Sequence, residues 1–241
     1  MALGIIPARY ASTRFPGKPL VSIMGKSMIQ RVYEQCQKAS CLTEIYVATD
    51  DQRIFDHVIS FGGNVILTSF DHQSGTDRCA EVVSKINSSE TVVINIQGDE
   101  PFIDPEQINL LAEAFSNPQT QIATLKKFIS SEDDIKNPNV VKVIANDLGN
   151  AIYFSRAPIP YRRNPEFIIP YFKHIGIYAF KSETLLQLTK LPMGILEKAE
   201  SLEQLRWIEA GFTIALKETN KETLSIDSPA DLAHVEKMMK S

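Results

Sequence analysis

Leu3-Gly4-Ile5-Ile6 is a short, almost wholly apolar run that leads through Pro7 into a polar loop ending near Leu20, and from Met28 to Ala39 apolar residues return at helical spacing. A β-rich run followed by an amphipathic one is a βα unit, and the pattern repeats. Glu44 to Thr49, Asn64 to Thr68 and Thr91 to Gln97 read as strands, and Asp51 to Phe61, Thr76 to Asn87 and Pro105 to Phe115 as helices. Successive βα units lay their strands side by side and parallel, with the helices on the faces of the sheet. The strands carry Val and Ile with little alternation, as expected of a sheet covered on both sides. The predicted class is therefore α/β, with a mostly parallel, doubly wound, Rossmann-like sheet.

The second half is less regular. Gln121 to Ile129, Val140 to Ala145, Ala151 to Phe154 and Tyr171 to Phe180 look like strands without long helices between them. This predicts a smaller, β-rich, antiparallel subregion at about 121–182, of the kind that makes lids or dimer contacts. A helix is expected at Glu203 to Ala210, a strand at Phe212 to Lys217 and a closing helix at Pro229 to Met239. No low-complexity linker or internal repeat interrupts the chain, so 1–241 reads as one domain.

The 241 residues are 44% hydrophobic and 22% charged, within the range of ordinary globular chains. Lys plus Arg is 25 against 29 for Asp plus Glu, a net charge of −4, which argues against nucleic acid or an acidic membrane surface as partner. Apolar runs such as Thr91 to Ile96 and Gly176 to Phe180 are a strand long, far below the roughly 20 residues of a membrane span. With no basic leader before Leu3, a cytoplasmic location is expected. Cys36, Cys41 and Cys79 contain no C-x-x-C pair and are read as free thiols rather than zinc ligands.

Ligands of open parallel sheets bind at the carboxyl ends of the strands, so the loops there carry the chemistry. The loop after the first strand brings Arg9, Arg14 and Lys18 together with Ser12 and Thr13. Guanidinium forks, a mobile ammonium and backbone N–H groups make an anion cradle, although a solvated basic turn would have the same composition. It is not a Walker loop: Gly25-Lys26-Ser27 lacks the required upstream glycine, that place being taken by Leu20. No G-x-G occurs either, which removes the dinucleotide fingerprint.

Asn95-Ile96-Gln97-Gly98-Asp99-Glu100-Pro101 ends a hydrophobic strand with acids at the sheet rim. Asp99 there suits Mg²⁺ held between protein and triphosphate, or else starts an Asx turn. Asp227 is the second acid. Ser228 serves as N-cap, Pro229 as first helical residue and Asp231 as the capping-box acid, so Asp227 need not cap the last helix, although it could. His72-Gln73-Ser74-Gly75-Thr76-Asp77-Arg78 reads equally as a nucleobase-facing loop or as a plain capping loop with Thr76 as the cap.

These motifs, with Tyr153-Phe154-Ser155-Arg156, His174-Ile175-Gly176-Ile177-Tyr178, Glu200 to Arg206 and Asp227-Ser228-Pro229, closely resemble those of the 3-deoxy-manno-octulosonate cytidylyltransferase (CMP-Kdo synthetase) family, in order along nearly the whole chain. The resemblance implies a nucleotidyltransferase-type sheet and a cytoplasmic, usually dimeric, Mg²⁺-dependent enzyme. Such an enzyme joins CTP and 3-deoxy-manno-octulosonate (Kdo) into CMP-Kdo and pyrophosphate for bacterial lipopolysaccharide. It also implies roles: Arg9, Ser12, Arg14 and Lys18 on the triphosphate, Ser74, Gly75 and Arg78 on the cytidine portion, and Asp99 and Asp227 on the metal. Gln97, Arg156, His174, Tyr178, Glu203 and Gln204 would line the sugar pocket, and Lys18, Arg9, Asp99 and Asp227 would form the catalytic set. The family pattern departs at Arg162 to Pro170, and at Asp77, where many relatives carry glutamate.

Without the resemblance, His174 reads as a core histidine, and Glu203 and Gln204 as surface residues. Two rival functions remain: activation of another sugar acid, such as 8-amino-Kdo or sialic acid, and a catalytically silent nucleotide-binding protein. CTP turnover with a panel of sugar acids separates them.

Overall fold

The computed structural model describes residues 1–11, 15–86, 90–164 and 166–240, with residues 239 and 240 described by their backbone alone. β1 (Ala2–Ala8) is followed by a 3-10 turn at Lys18–Leu20, a hairpin of β2 (Ser22–Ile23) and β3 (Lys26–Ser27), and α1 (Met28–Cys36). Then come β4 (Leu42–Thr49), α2 (Gln52–Ser60), β5 (Val65–Leu67), α3 (Gly75–Lys85), β6 (Val92–Asn95) and α4 (Pro105–Glu113). The second half holds β7 (Ile122–Phe128), α5 (Glu132–Lys136), β8 (Lys142–Ala145), β9 (Ala151–Ser155), β10 (Phe172–Lys181), α6 (Ser182–Leu188), α7 (Ile195–Glu200), α8 (Gln204–Glu209), β11 (Ile214–Glu218) and α9 (Pro229–Lys240).

The central sheet has the order β11-β7-β10-β6-β1-β4-β5, parallel except for β10, which runs against both its neighbours. β8 leaves this sheet from β10 and carries β9 with it, both antiparallel. The antiparallel part expected at 121–182 thus divides: β7 and β10 lie inside the main sheet, and the β8–β9 pair extends from it. The two-residue strands of the hairpin and the short helices α5, α6 and α7 were not anticipated. Segments of 5 to 7 residues are too brief to display a helical period.

β1 explains why its run has so little polar alternation. Leu3 and Ile5 face one buried layer, shared with Cys79 and Val82 of α3, Leu185 and Leu188 of α6, and Leu205 and Trp207 of α8. Ile6 and Ala8 face the other, with Ile29 and Val32 of α1, Ile54 and Val58 of α2, and Ile108 and Leu111 of α4. Each such side chain contributes about 1.5–3 kcal/mol on full burial. Local signals set the helix starts: Ser27, Asp51 and Asp104 accept from backbone N–H groups as caps of α1, α2 and α4. Asp104 is followed by Pro105 in the first turn.

The chain passes from β1 to β4 and β5 on one side, then returns to β6 on the other. The loops after β1 and β6 diverge at this switch point, leaving a crevice at the strands' carboxyl ends.

Candidate active site

Gly17 shapes the loop after β1. Its φ of +70° is a left-handed conformation that an L side chain disfavours, and its N–H donates to Tyr10 O at 3.0 Å. Tyr10 lies against Gly17, and the Arg53 guanidinium covers the Tyr10 ring at 3.3 Å from its centroid. Lys18 follows Gly17 directly, with Pro19 buried beneath it. The Lys18 ammonium donates to Asp99 Oδ2 at 2.7 Å and to Asp227 Oδ1 at 3.1 Å.

Asp99 comes from the loop after β6, and Gly98 sets its approach. A Cβ on Gly98 would stand 2.7 Å from Pro7 O, so only glycine allows the two loops to lie this close. Asp227 is delivered by a separate small core in which Ile226 packs with Ile23, Met28 and Val235, joined by Phe15, Phe102 and Leu232. The unanticipated β2–β3 hairpin supplies Ile23 to it. Ile226 N donates to Asp99 O at 3.0 Å, which registers the two segments. As expected, Asp231 and Ser228 form the cap of α9: Asp231 Oδ2 accepts from Ser228 N at 2.8 Å and from Asp227 N at 3.0 Å. The Asp227 carboxylate is thereby left to face Lys18.

A cleft of about 280 Å³ lies in front of these groups, lined by Arg9, Lys18, His72, Ser74, Gly75, Arg78, Gln97, Asp99 and Asp227 among others. Ser74, not Thr76, caps α3. Its Oγ accepts from Asp77 N at 3.1 Å while its own N–H donates to Asp77 Oδ2 at 3.2 Å, a complete capping box. The helix therefore begins one residue before Thr76 and turns its N-terminal end toward the cleft, where free N–H groups favour an anion. Gly75 lets this end pack close: a Cβ there would stand 3.3 Å from the Pro7 ring. Arg78 is buried and largely committed, donating to Asp50 Oδ2 at 2.8 Å, to Ser69 O at 3.2 Å and to the Thr68 hydroxyl. Ser12 and Arg14 lie outside the described residues.

The expected sugar residues are partly assembled. Gln97 Nε2 donates to Gly176 O at 2.9 Å, a carbonyl in the irregular stretch of β10 between Ile175 and Tyr178. His174 and Tyr178 are in ring contact at 5.3 Å, and Tyr178 meets Trp207 of α8 edge-on at 5.0 Å. Thr124 Oγ1 lies 2.7 Å from Ile177 O and 3.0 Å from His174 Nε2. A hydroxyl has one proton; spent on the carbonyl, it leaves the oxygen to accept from His174, which makes Nε2 the protonated nitrogen. Burial holds the His174 pKa down at about 3, so the ring is neutral. Gln204 is buried with Nε2 unpartnered, and Tyr178 is buried with its hydroxyl unpartnered. Glu203 accepts from Thr76 Oγ1 at 2.8 Å. The Arg156 guanidinium donates to Glu200 O at 2.7 Å, Pro138 O at 3.0 Å and Ser201 O at 3.5 Å.

Three further residues belong to this neighbourhood without having been given a role at the site from sequence. Glu100 is buried beside Asp99, with a pKa raised to about 8 by burial, to which the charges of Asp99 and Asp227 add. Asn95 ends the wholly buried β6 with Oδ1 unpartnered; a polar residue closing so apolar a run was a readable signal. Thr76 reaches across to α8, which no local pattern announces. A larger groove of about 920 Å³ lies elsewhere, by Glu106, Leu110 and Lys127, and contains none of the site residues.

Comparison with known proteins shows the family. The Cytidylyltransferase family model matches residues 3–221. The 3-deoxy-manno-octulosonate cytidylyltransferase of Bacteroides thetaiotaomicron is 52% identical, over 99% of this chain and 98% of its own. The chain belongs to the 3-deoxy-manno-octulosonate cytidylyltransferase family. The enzyme of that name from Cytophaga hutchinsonii is also 52% identical, over 97% of this chain and 95% of its own. A solved structure of CMP:2-keto-3-deoxy-manno-octonic acid synthetase complexed with CTP superposes with a TM-score of 0.94 at 45% identity, covering 99% of this chain and 98% of that one. A cytidylyltransferase from Leptospira borgpetersenii, 16% identical with a TM-score of 0.66, shares the fold. Among the described residues, no helix is long and apolar enough to cross a membrane.

Proposed function

We propose that this chain transfers CMP from CTP to the anomeric hydroxyl of Kdo, releasing pyrophosphate, in the cytoplasm and toward bacterial lipopolysaccharide. The observation that carries this reading is the convergence of Asp99 and Asp227 on one cation, the Lys18 ammonium, at the mouth of a cleft walled by the N-terminus of α3. The anomeric oxygen forms a bond to the α-phosphorus while the bond to the pyrophosphate oxygen breaks in line. Arg9 and Lys18 neutralise charge on the phosphates. Ser12 and Arg14 are assigned to the same task from sequence. Ser74 and Gly75 present the amino end of α3 to the nucleotide, and Arg78 stiffens that wall.

Mg²⁺ fits the donor set. Mg²⁺ is typically held by one or two carboxylates, with phosphate oxygens and water completing its shell, and Asp99 and Asp227 supply two carboxylates around a place already taken by a cation. When bound, Mg²⁺ lowers the pKa of a coordinated hydroxyl and offsets phosphate charge. Lys18 has a flexible stem, so its ammonium can leave the carboxylates for the phosphate tail. Gln97, His174, Tyr178, Glu203 and Gln204 bind and orient the sugar. Arg156, assigned to the same pocket from sequence, also braces the backbone at Glu200 and Ser201. His174, with a pKa near 3, is too weak a base to take the hydroxyl proton at neutral pH.

We read 1–241 as one nucleotidyltransferase domain with the β8–β9 pair as lid or dimer lobe, and the assembly as a homodimer. Tyr161 and Ile168, 85% and 89% exposed, support a covering second copy, which light scattering tests. The deciding assay is pyrophosphate release from CTP, Mg²⁺ and Kdo, with UTP and sialic acid as controls. No release with Kdo, or equal release with sialic acid, overturns the assignment.

A further inference from the structure

Thr76 sits in the first turn of α3, 3% exposed, one residue beyond Gly75 at the cleft. Its hydroxyl has no helical carbonyl behind it to bond, because the residue four positions back, His72, precedes the helix. It donates instead to Glu203 Oε2 at 2.8 Å, across to the residue that starts α8. A buried hydroxyl bonded to a half-buried carboxylate is a directed contact, since leaving the hydroxyl unpaired costs free energy. The bond joins a wall of the cleft, the Ser74–Gly75 end of α3 on the nucleotide side, to the Glu203–Gln204 start of the helix whose Trp207 packs on Tyr178.

Glu203 depends on this contact. Burial disfavours its charged form and raises its pKa, and the hydroxyls of Thr76 and Ser74 are the leading influences in the other direction, with Arg206 helping and Asp77 opposing. A carboxylate has about four acceptor sites, so Thr76 can hold one oxygen while capacity remains for the hydroxyls of a ligand. Ser74 and Thr76 both belong to the turn that meets the nucleotide. A shift of that turn is therefore passed directly to the Glu203 carboxylate.

We propose that Thr76 is a positioning residue for the acceptor sugar: its hydroxyl holds the Glu203 carboxylate in place, so that the nucleotide-facing end of α3 and the sugar-facing start of α8 act as one unit. The inference rests on Glu203 being a sugar contact, as proposed above. Thr76→Val keeps the shape and removes the donor; Thr76→Ser keeps the donor. With steady-state kinetics on purified enzyme, Thr76→Val raises KM for Kdo about tenfold or more, the scale of a lost hydrogen bond to a charged group. KM for CTP and kcat stay within about threefold, and Thr76→Ser returns KM for Kdo to within about threefold of the parent. Thr76→Ala gives the same KM split if the valine variant fails to fold.

Glu203→Gln separates the two ways of failing. If it raises KM for Kdo while Thr76→Val and Thr76→Ala do not, the positioning role is wrong and the sugar role of Glu203 stands. If Glu203→Gln leaves KM for Kdo unchanged, the sugar assignment fails and takes the positioning role with it. Parallel increases in both KM values without rescue by serine reduce Thr76 to a packing residue and also overturn the proposal.

Discussion

Ile226 N donates to the carbonyl of Asp99 at 3.0 Å, and this bond sets the C-terminal segment beside the loop that follows β6. The neighbouring carboxylates, Asp99 and Asp227, then meet the Lys18 ammonium at 2.7 and 3.1 Å. Three loops distant in sequence so form one charged cluster, and its integrity is open to test.

Lys18→Ala and Asp99→Ala each lower kcat by about 10² or more, the scale of losing one preorganised charge partner for the transition state. Both lie at the rim rather than in a core, so circular dichroism and melting temperature change little. Near-normal turnover by either variant removes that residue from the reaction.

Ile226 touches no substrate in the proposed reaction, yet its removal should disturb it. Ile226→Ala leaves a void in the small core with Ile23, Met28 and Val235 and costs about 2–5 kcal/mol on denaturant unfolding. Because Asp227 is displaced with it, the Mg²⁺ concentration for half-maximal rate rises. A stability loss with an unchanged Mg²⁺ dependence shows that Asp227 is held by other means.

Gly98→Ala tests the close approach of the loops after β1 and β6. The added methyl would lie 2.7 Å from Pro7 O, a backbone atom that cannot rotate away. The expected cost is about 1–3 kcal/mol in stability from overpacking, with kcat falling because Asp99 moves. Wild-type turnover in this variant means that the loop relaxes without displacing Asp99.

The pH dependence of stability carries a component from His174. Its pKa is about 3 in the folded protein against about 6.5 for an unperturbed histidine. Between those values the unfolded chain binds the proton and the native state does not, so unfolding becomes easier as pH falls. The stabilisation is complete above about pH 6.5 and is lost on descent toward pH 3. Urea titrations across that window show a shallower slope for His174→Asn than for the parent; identical slopes refute the assignment.

Much of the site was legible because it is written in local patterns. The cations of the first loop, the acid at the end of β6 and the Ser228–Asp231 cap announce themselves within a few residues. In the capping reading of the loop before α3 the sequence leaves Ser74 and Thr76 both competent, and the Ser74–Asp77 pairing decides for Ser74. The commitments of Arg78 to Asp50 and of Arg156 to the backbone of Glu200 and Ser201 were not readable, since each partner lies on another element.

Taken by itself, the sequence determined the alternation of strands and helices, the burial of the sheet on both faces and the kinds of charge at its carboxyl edge. Side-chain periodicity and capping act over a few residues, so they survive in the order of letters. Tertiary structure alone decided that β10 enters the sheet against its neighbours, that Asp227 reaches Lys18 and that Thr76 reaches Glu203. Those outcomes depend on which apolar faces pack together, Ile226 on Ile23 and Tyr178 on Trp207, and such packing is settled by the whole chain at once.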